Sequence, residues 1–201
     1  MNKNTKKYAV IMLLGVVFNL GFYYIAHVFH LPAWMDCIGT SYVAVVLEPT
    51  AGLLVAFTTN FFQATFIYDI SSIIYYFVSA VAALTFGILL RKGGKIIWKR
   101  LPLVLAAYVS LSTILSSLIT IWRTAGIPDS GWERHFYQIA LDNGIPVIFA
   151  CMFGVLILKL VDACIMAVII PMFYLITPKS MKNTQLYDPL YQPNTELTKI
   201  K

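Results

Sequence analysis

The chain has 201 residues, of which 59% are hydrophobic and 12% are charged, and its formal net charge at pH 7 is +6. Soluble domains are about 45–50% apolar and about 25% charged, so this composition excludes an ordinary soluble domain. The apolar residues form long uncharged runs, and runs of about 18 or more are typical of membrane helices. Basic residues lie at the ends of these runs, which indicates membrane topology rather than nucleic-acid binding. We therefore predict an all-α integral membrane protein whose partners include the lipid bilayer but no nucleic acid.

Six apolar segments follow one another along the chain, and we interpret each as a membrane-spanning helix. They cover about residues 8–29, 34–47, 50–67, 71–90, 101–122 and 146–176. The last segment is longer than one straight span requires, so we expect a tilted or broken outer piece near Gly154 and a crossing from about 156 to 176. Residues 1–176 thus form a single six-helix domain, and the tail 177–201 is expected to be irregular.

The basic residues predict the orientation of this bundle. Three lysines precede the first segment, five Lys/Arg residues lie within 91–100, and four lysines follow the last segment. With six crossings all of these groups fall on one side, and an excess of Lys/Arg marks the cytoplasmic side. We therefore expect a multi-pass protein of the cell membrane with both termini in the cytoplasm. The polar loop 123–144 then lies outside.

The sequence contains no motif that indicates catalysis. It has no GxSxG elbow, no HExxH helix and no P-loop, so we expect a protein that is not an enzyme and needs no cofactor. Its three cysteines have neither CxxC nor Cys/His spacing, which argues against a disulfide framework or a metal site. His27, His30 and His135 map to the outer face without a fixed spacing, and solvation at the rim is the commoner explanation for them.

The second segment carries two carboxylates and a helix break. Asp36 lies at its outer end and Glu48-Pro49 at its inner end. Twelve helical residues rise only about 18 Å, which is short of the roughly 30 Å hydrocarbon core. The segment is therefore either a short helix sunk in the bundle or one extended by 31–35. We expect Glu48 to be solvated at the cytoplasmic interface and Pro49 to begin the third helix.

Polar side chains gather in the outer half of the predicted bundle. Trp34 and Asp36 open the second segment, and Asn60 and Gln63 lie one turn apart near the outer end of the third. Aromatic residues at this level also suit the interfacial belt found in membrane proteins. Amide groups in hydrocarbon need partners, so Asn60 and Gln63 either join helices or line a pocket.

Lys159 and Asp162 form the sharpest pair of ionisable residues. At i and i+3 they are neighbours on a helix, so each offsets the cost of burying the other. Ionisable residues inside a membrane segment are candidates for function. A structural ion pair, or a Lys159 side chain that snorkels outward, explains the same spacing. From the sequence, a role in a binding pocket and a purely structural role are equally open for this pair.

Small residues recur every fourth position on two segments, which favours close approach of helices. On the fourth and fifth segments these stripes comprise Ser79, Ala83 and Gly87, and Ser112, Ser116 and Thr120. Packing within the bundle is the simplest interpretation, and contact with another membrane subunit is the alternative.

Several short motifs together resemble one transporter family. They are Leu31-Pro32-x-Trp34-x-Asp36-x-x-Gly39-Thr40, Pro49-x-x-Gly52, Thr59-Asn60 and Phe86-Gly87-x-x-x-Arg91-Lys92-x-Gly94. In these motifs the chain resembles the substrate-binding (S) components of energy-coupling factor (ECF) transporters, of the riboflavin-type and uncharacterised S-component family. It departs from the family pattern at Glu48, where glycine is usual, and at Ala163, where lysine is expected. The Ala-x-x-x-Ala signature of the first helix is missing.

This resemblance implies capture of a vitamin or related micronutrient in a pocket open to the outside. It also implies two kinds of partner, a transmembrane coupling subunit and two cytoplasmic ATPase subunits. The candidate substrate-binding residues are Trp34, Asp36, Asn60, Gln63, Lys159 and Asp162, with the loop 123–144 as a lid. Two other functions stay open: a membrane sensor or scaffold module, and a stand-alone facilitator for small molecules.

Overall fold

The computed structural model describes residues 3–92, 95–128, 131–179 and 181–182. These residues form seven α-helices: α1 (Lys3–Val28), α2 (Ile38–Val46), α3 (Pro49–Phe66), α4 (Tyr76–Leu84), α5 (Leu101–Thr124), α6 (Gly131–Asp142) and α7 (Val147–Ile176). A 3-10 helix (Ile70–Tyr75) leads into α4, and a π-helical turn (Thr85–Leu89) follows it. Two short strands, β1 (Arg91–Lys92) and β2 (Lys95–Ile96), pair antiparallel with Arg91 opposite Ile96. The predicted all-α class is confirmed.

Within the described part of the chain, four helical stretches are long and apolar enough to cross a membrane, as expected for a membrane protein. They are Thr5–Val28, Ile70–Leu89, Trp98–Thr124 and Val147–Ile176. The nine-residue α2 is too short, because it rises only about 13 Å at about 1.5 Å per residue. The 18-residue α3 is long enough, but its threonines and amides reduce its hydropathy. Neither helix therefore qualifies as a span by itself.

The helix bounds agree with the sequence prediction for α1, α3 and α5 to within a few residues. One expectation is wrong, because the segment 123–144 is not a loop throughout: α6 occupies most of it. The last segment was expected to be tilted or broken near Gly154, and α7 runs continuously through this residue, so it is not broken there. Gly154 instead allows α6 to approach, since a Cβ atom there would lie only 2.6 Å from the carbonyl oxygen of Glu133.

The centre of the bundle is the short helix α2, all nine residues of which are buried. Backbones approach it closely: a Cβ on Gly39 would overlap the carbonyl oxygen of Gly15 in α1. Gly52 of α3 lies against Ala44 and Ala83, where a Cβ atom would meet theirs at 2.7 and 3.0 Å. The predicted small-residue stripe on α4 therefore packs inside the bundle at Ala83.

Both ends of α2 are capped by side chains from other elements. At its start, Asn19 of α1 accepts hydrogen bonds from the backbone N–H groups of Gly39 (2.7 Å) and Thr40 (3.2 Å). At its end, the Arg91 guanidinium donates to the carbonyl oxygens of Val45 (2.6 Å) and Leu47 (2.7 Å). Helix termini leave such groups without partners inside the helix, so distant side chains complete α2.

Glu48 is not solvated as expected from the sequence. Its side chain is only 3% exposed, and its Oε1 accepts a hydrogen bond of 2.6 Å from the Tyr8 hydroxyl. The first turns of α1 thus cover the junction between α2 and α3. Pro49 does begin α3, as predicted.

Most of the described basic residues lie near the start of α1, in 91–100 and after α7, at one end of the bundle, which we call the basic end. Contacts there join the start of α1, the α2–α3 junction, the β1–β2 hairpin and the end of α7. The Trp98 and Tyr174 rings meet edge to face at 5.3 Å, and Lys182 Nζ lies 4.3 Å from the Tyr174 ring. The end of α1, the end of α5 and the start of α7 lie at the opposite end.

Candidate functional site

A cavity of about 310 Å³ lies at the end of the bundle opposite the basic end. Its walls come from the loop before α2, from α3, α4, α5 and α6, and from Lys159 of α7. Below Lys159, towards the basic end, the rings of Tyr108 and Phe86 are fully buried and lie 6.1 Å apart. The Lys159 Nζ atom is 6.0 Å from the Tyr108 ring. A packed aromatic layer therefore forms the floor beneath the lysine.

Five of the six predicted site residues line this cavity: Trp34, Asp36, Asn60, Gln63 and Lys159. The structure thus brings together side chains from three separate parts of the sequence. The sixth, Asp162, does not line it. Whether the five bind a substrate stays a prediction.

Asp162 lies behind the cavity wall and holds the loop that carries Trp34 and Asp36. Its Oδ1 accepts hydrogen bonds of 3.0 Å from the backbone N–H groups of Trp34 and of Met35. Met35 has a φ of 56°, a left-handed conformation that is costly for a residue with a side chain. Asp162 therefore positions this loop, and its predicted contact with a substrate stays a prediction.

Lys159 has both of the roles that the sequence left open. It is 4% exposed and lines the cavity, and its Nζ lies 3.7 Å from the Oδ2 of Asp162. Burial of a charge requires such a partner. The ion pair is long for a hydrogen bond, so the ammonium group keeps its donor capacity for an oxygen or aromatic ring in the cavity.

The two amides of α3 serve different purposes. Asn60 Nδ2 donates to the Ala56 carbonyl oxygen (2.8 Å) and to the Ser79 hydroxyl (2.9 Å), which joins α3 to α4. Gln63 is 4% exposed, and its Nε2 has no hydrogen-bond partner among the described residues. An unsatisfied buried donor costs about 1–3 kcal/mol. A ligand oxygen in the cavity would satisfy it.

An ion pair fixes one wall of the cavity at its outer end. The Arg123 guanidinium contacts the Asp69 carboxylate at 2.9 Å, donates to the Ser71 hydroxyl at 3.2 Å and lies 5.6 Å from the centre of the Tyr75 ring. The Ser71 hydroxyl and amide, together with Arg123, hold the pKa of Asp69 below its ordinary value of 3.8. This clamp connects the 3-10 helix to the end of α5.

A second, wider groove of about 670 Å³ adjoins the cavity and shares Trp34 and Tyr68 with it. The three histidines lie along this groove, and Trp132 of α6 crosses it to donate from Nε1 to the His30 carbonyl oxygen at 2.7 Å. Among the described residues no group of three His, Cys, Asp or Glu side chains is arranged to hold a metal ion. Aromatic and histidine side chains thus line much of this groove.

Sequence reasoning missed several residues that line the cavity. Ser116 and Thr120 belong to the small-residue stripe of α5, which the sequence assigned to packing alone. The hydroxyl groups of Thr120 and Tyr75 form a hydrogen bond of 3.1 Å. Glu133 is 5% exposed and reaches the cavity from α6. Because the sequence did not predict α6, it did not predict this position of Glu133 either. The four-residue spacing of the hydroxyl side chains along α5 is the sequence pattern that could have indicated Ser116 and Thr120 as lining residues.

No family model, curated protein or solved structure matches the chain. The function must therefore be inferred from the geometry of the cavity. This geometry combines aromatic faces, one unsatisfied amide donor and one buried ammonium group at one end of an apolar bundle. A concave site in which aromatic faces and converging polar groups meet is compatible with a small-molecule site.

Proposed function

We propose that the chain is the substrate-capture (S) component of an ECF-type importer. In this proposal it is a multi-pass protein of the cell membrane that binds a vitamin or related micronutrient. The observation that carries the proposal is the cavity at the end opposite the basic end, with five residues singled out from the sequence in its lining. The basic end would then face the cytoplasm and the cavity would face outward.

The proposed topology has six crossings and both termini inside. Four of these crossings would be the four apolar stretches that are long enough to span. The other two would be α2 and α3, which are packed among the longer helices. Because all nine residues of α2 are buried, protein rather than lipid surrounds it. A helix in such surroundings need not match the thickness of the hydrocarbon core.

Binding in this proposal uses stacking and hydrogen bonds, and the chain carries out no chemical step. Trp34 offers an aromatic face, Gln63 Nε2 offers an unsatisfied donor, and Lys159 offers a charged donor beside the aromatic floor. A flat heterocycle with a ring oxygen or nitrogen as acceptor suits this set. Energy for import would come from two cytoplasmic ATPase subunits through a transmembrane coupling subunit.

Purification of the tagged chain from its own host in mild detergent, followed by native mass spectrometry, tests this proposal. We expect a complex that contains a coupling subunit, two ATPases and a bound small molecule. The variant Gln63→Leu should lose the small molecule but keep the subunits. Gln138→Leu on the exposed face of α6 is the matched control and should keep both.

Other results would redirect the assignment. A chain that purifies with a kinase-like partner and no ATPase would favour the sensor or scaffold function. A chain that purifies alone but exchanges a small molecule across vesicle membranes would favour the stand-alone facilitator. Either result would refute the proposed importer.

A further inference from the structure

The acidic groups around the cavity outnumber the basic groups. Among the described residues, the lining carries carboxylates at Asp36, Asp69 and Glu133 and basic groups at Arg123 and Lys159. Each basic group already contacts a carboxylate: Arg123 contacts Asp69 at 2.9 Å, and Lys159 contacts Asp162, which lies just behind the wall, at 3.7 Å. With that carboxylate included, four acidic groups accompany two basic groups. The formal charge of the described site is therefore negative.

Asp36 and Glu133 are the carboxylates outside these two pairs, and Asp36 is the one that shares its loop with Trp34. Its hydrogen-bond partner among the described residues is the neighbouring Cys37 thiol, at 3.3 Å from Oδ1, and the described residues provide it with no ion pair. The Cys37 thiol is a weak donor. Lys159 lines the same cavity and attracts Asp36 from beyond ion-pair distance. A half-buried carboxylate without a cation in direct contact is costly, so a positive charge placed beside it would be favourable.

The surroundings of Asp36 also suit a cation. Trp34 lies two residues away on the same loop and lines the same cavity, and Tyr68 and Tyr75 line it from the opposite elements. Aromatic faces attract cations, most strongly when water is excluded. The loop is held by two backbone hydrogen bonds to Asp162. Asp36 and Trp34 are therefore presented together at a fixed position.

We propose that the cavity selects a ligand with a cationic nitrogen, which pairs with Asp36 while an adjoining ring stacks on Trp34. The inference rests on the proposed function, because it specifies the class of substrate that the same cavity takes. The proposal also states where each end of the ligand lies in the cavity. The cationic end lies at Asp36, and a neutral acceptor lies towards Gln63 and Lys159, whose donors face the cavity.

Three indole compounds that share the same two-carbon linker and differ in its terminal group, and hence in charge, provide the test. Tryptamine is cationic at pH 7, tryptophol is neutral and indole-3-propionate is anionic. Their binding to the purified full-length chain in detergent is measured by isothermal titration calorimetry, and the melting temperature is followed by circular dichroism. We expect tryptamine to bind at least about tenfold more tightly than tryptophol, and indole-3-propionate to bind most weakly.

The variant Asp36→Asn should lower the affinity for tryptamine by at least about tenfold and leave the affinity for tryptophol unchanged. Asp142→Asn, at the exposed end of α6, is the matched control and should behave like the wild-type chain. Circular dichroism of Asp36→Asn verifies that it folds. If that variant does not fold, the comparison of the three compounds on the wild-type chain decides the question alone.

Equal affinities, preference for the anion, or absence of tryptamine binding would overturn the cationic class of ligand. Loss of tryptophol binding in Asp36→Asn as well would overturn the pairing, because a structural role alone would produce it. These results are distinguishable from failure of the proposed function. Preference for the anion would leave a ligand-binding cavity in place, whereas a chain purified without ATPases would remove the importer and leave the charge preference standing.

Discussion

Replacement of Asn19 by leucine would remove the polar centre that joins the first three helices. The Asn19 side chain is fully buried. Its Nδ2 donates to the hydroxyl oxygens of Thr40 at 2.9 Å and Thr59 at 3.0 Å. Its Oδ1 accepts from two backbone N–H groups at the start of α2. Leucine has a similar volume, so the substitution removes four hydrogen bonds without a large change in packing.

The expected cost follows from what is left without partners. The two threonine hydroxyls can rotate towards backbone carbonyl oxygens, but the two N–H groups of α2 cannot. Each orphaned buried donor costs about 1–3 kcal/mol, whereas interhelical hydrogen bonds in membrane proteins contribute about 0.6 kcal/mol on average. We therefore expect Asn19→Leu to lower the free energy of unfolding by about 2–4 kcal/mol. Thr59→Val removes one hydrogen bond and should cost about 1 kcal/mol.

The free energy of unfolding can be measured by circular dichroism in mixed micelles with increasing sodium dodecyl sulfate. Asn143→Leu is the matched control, because Asn143 is exposed and its side chain bonds only locally, to the Ile139 carbonyl oxygen at 2.8 Å. Its free energy should change by less than about 0.5 kcal/mol. A similarly small change in Asn19→Leu would refute the view that this asparagine caps α2.

Three further perturbations test other parts of the structure. Gly154→Ala should destabilise the chain by about 1–3 kcal/mol and expose α6 to proteolysis, because the new Cβ would lie 2.6 Å from the Glu133 carbonyl oxygen. Asp162→Asn should cost about 3–5 kcal/mol in unfolding free energy, because it leaves the Lys159 ammonium group buried without its partner. The difference in melting temperature between the wild-type chain and Asp69→Asn should be constant from pH 7 to about 5 and shrink at lower pH. The pKa of Asp69 is lowered in the folded state, so its contribution is complete above 3.8 and lost as the pH falls through the lowered value.

Each of these perturbations has its own control. Gly131→Ala places a Cβ where no atom lies within 4 Å, so rapid proteolysis in this variant as well would contradict the argument from close approach. The double variant Lys159→Met with Asp162→Asn should regain most of the stability lost in the single variant. If it does not, the ion pair is not the cause. A melting-temperature difference for Asp69→Asn that grows as the pH falls would contradict the sign of the shift.

Local patterns in the sequence were sufficient for the long apolar helices and for one pair of charges. The run of apolar residues in α1, α3 and α5 fixed their positions to within a few residues. The i, i+3 spacing of Lys159 and Asp162 predicted neighbours, and their charged atoms lie 3.7 Å apart. These features depend on residues within a few positions of one another, so a single sequence contains them.

Features that depend on distant residues could not be predicted in this way. Glu48 was expected in solvent because nothing near it in the sequence suggests a partner, yet its partner Tyr8 lies 40 residues away. The different positions of Lys159, which lines the cavity, and Asp162, which lies behind its wall, also depend on distant residues. Asp162 binds backbone N–H groups of a loop more than 120 residues earlier, and backbone groups have no signature in side-chain spacing.

The helix α6 was missed for a different reason. Glycine and proline precede it and Asn143-Gly144 follows it, so both flanks suggested turns. Its 12 residues have a low mean hydropathy and bury only Glu133, Tyr137 and Ala140. A short helix of this kind depends on contact with another helix more than on its own propensity. Gly154 of α7 supplies that contact surface. From the sequence alone, this glycine suggested only a possible break in the last helix.

The dependence of α2 on distant side chains has a consequence for the order of assembly. Its caps come from Asn19, which is synthesised before it, and from Arg91, which is synthesised more than 40 residues after it. A nine-residue helix is below the length at which an isolated helix is stable in water, about 12–15 residues. The last carbonyl groups of α2 therefore lack these partners in any chain that ends before Arg91. The completion of the buried helix is thus coupled to a segment that follows it by more than 40 residues.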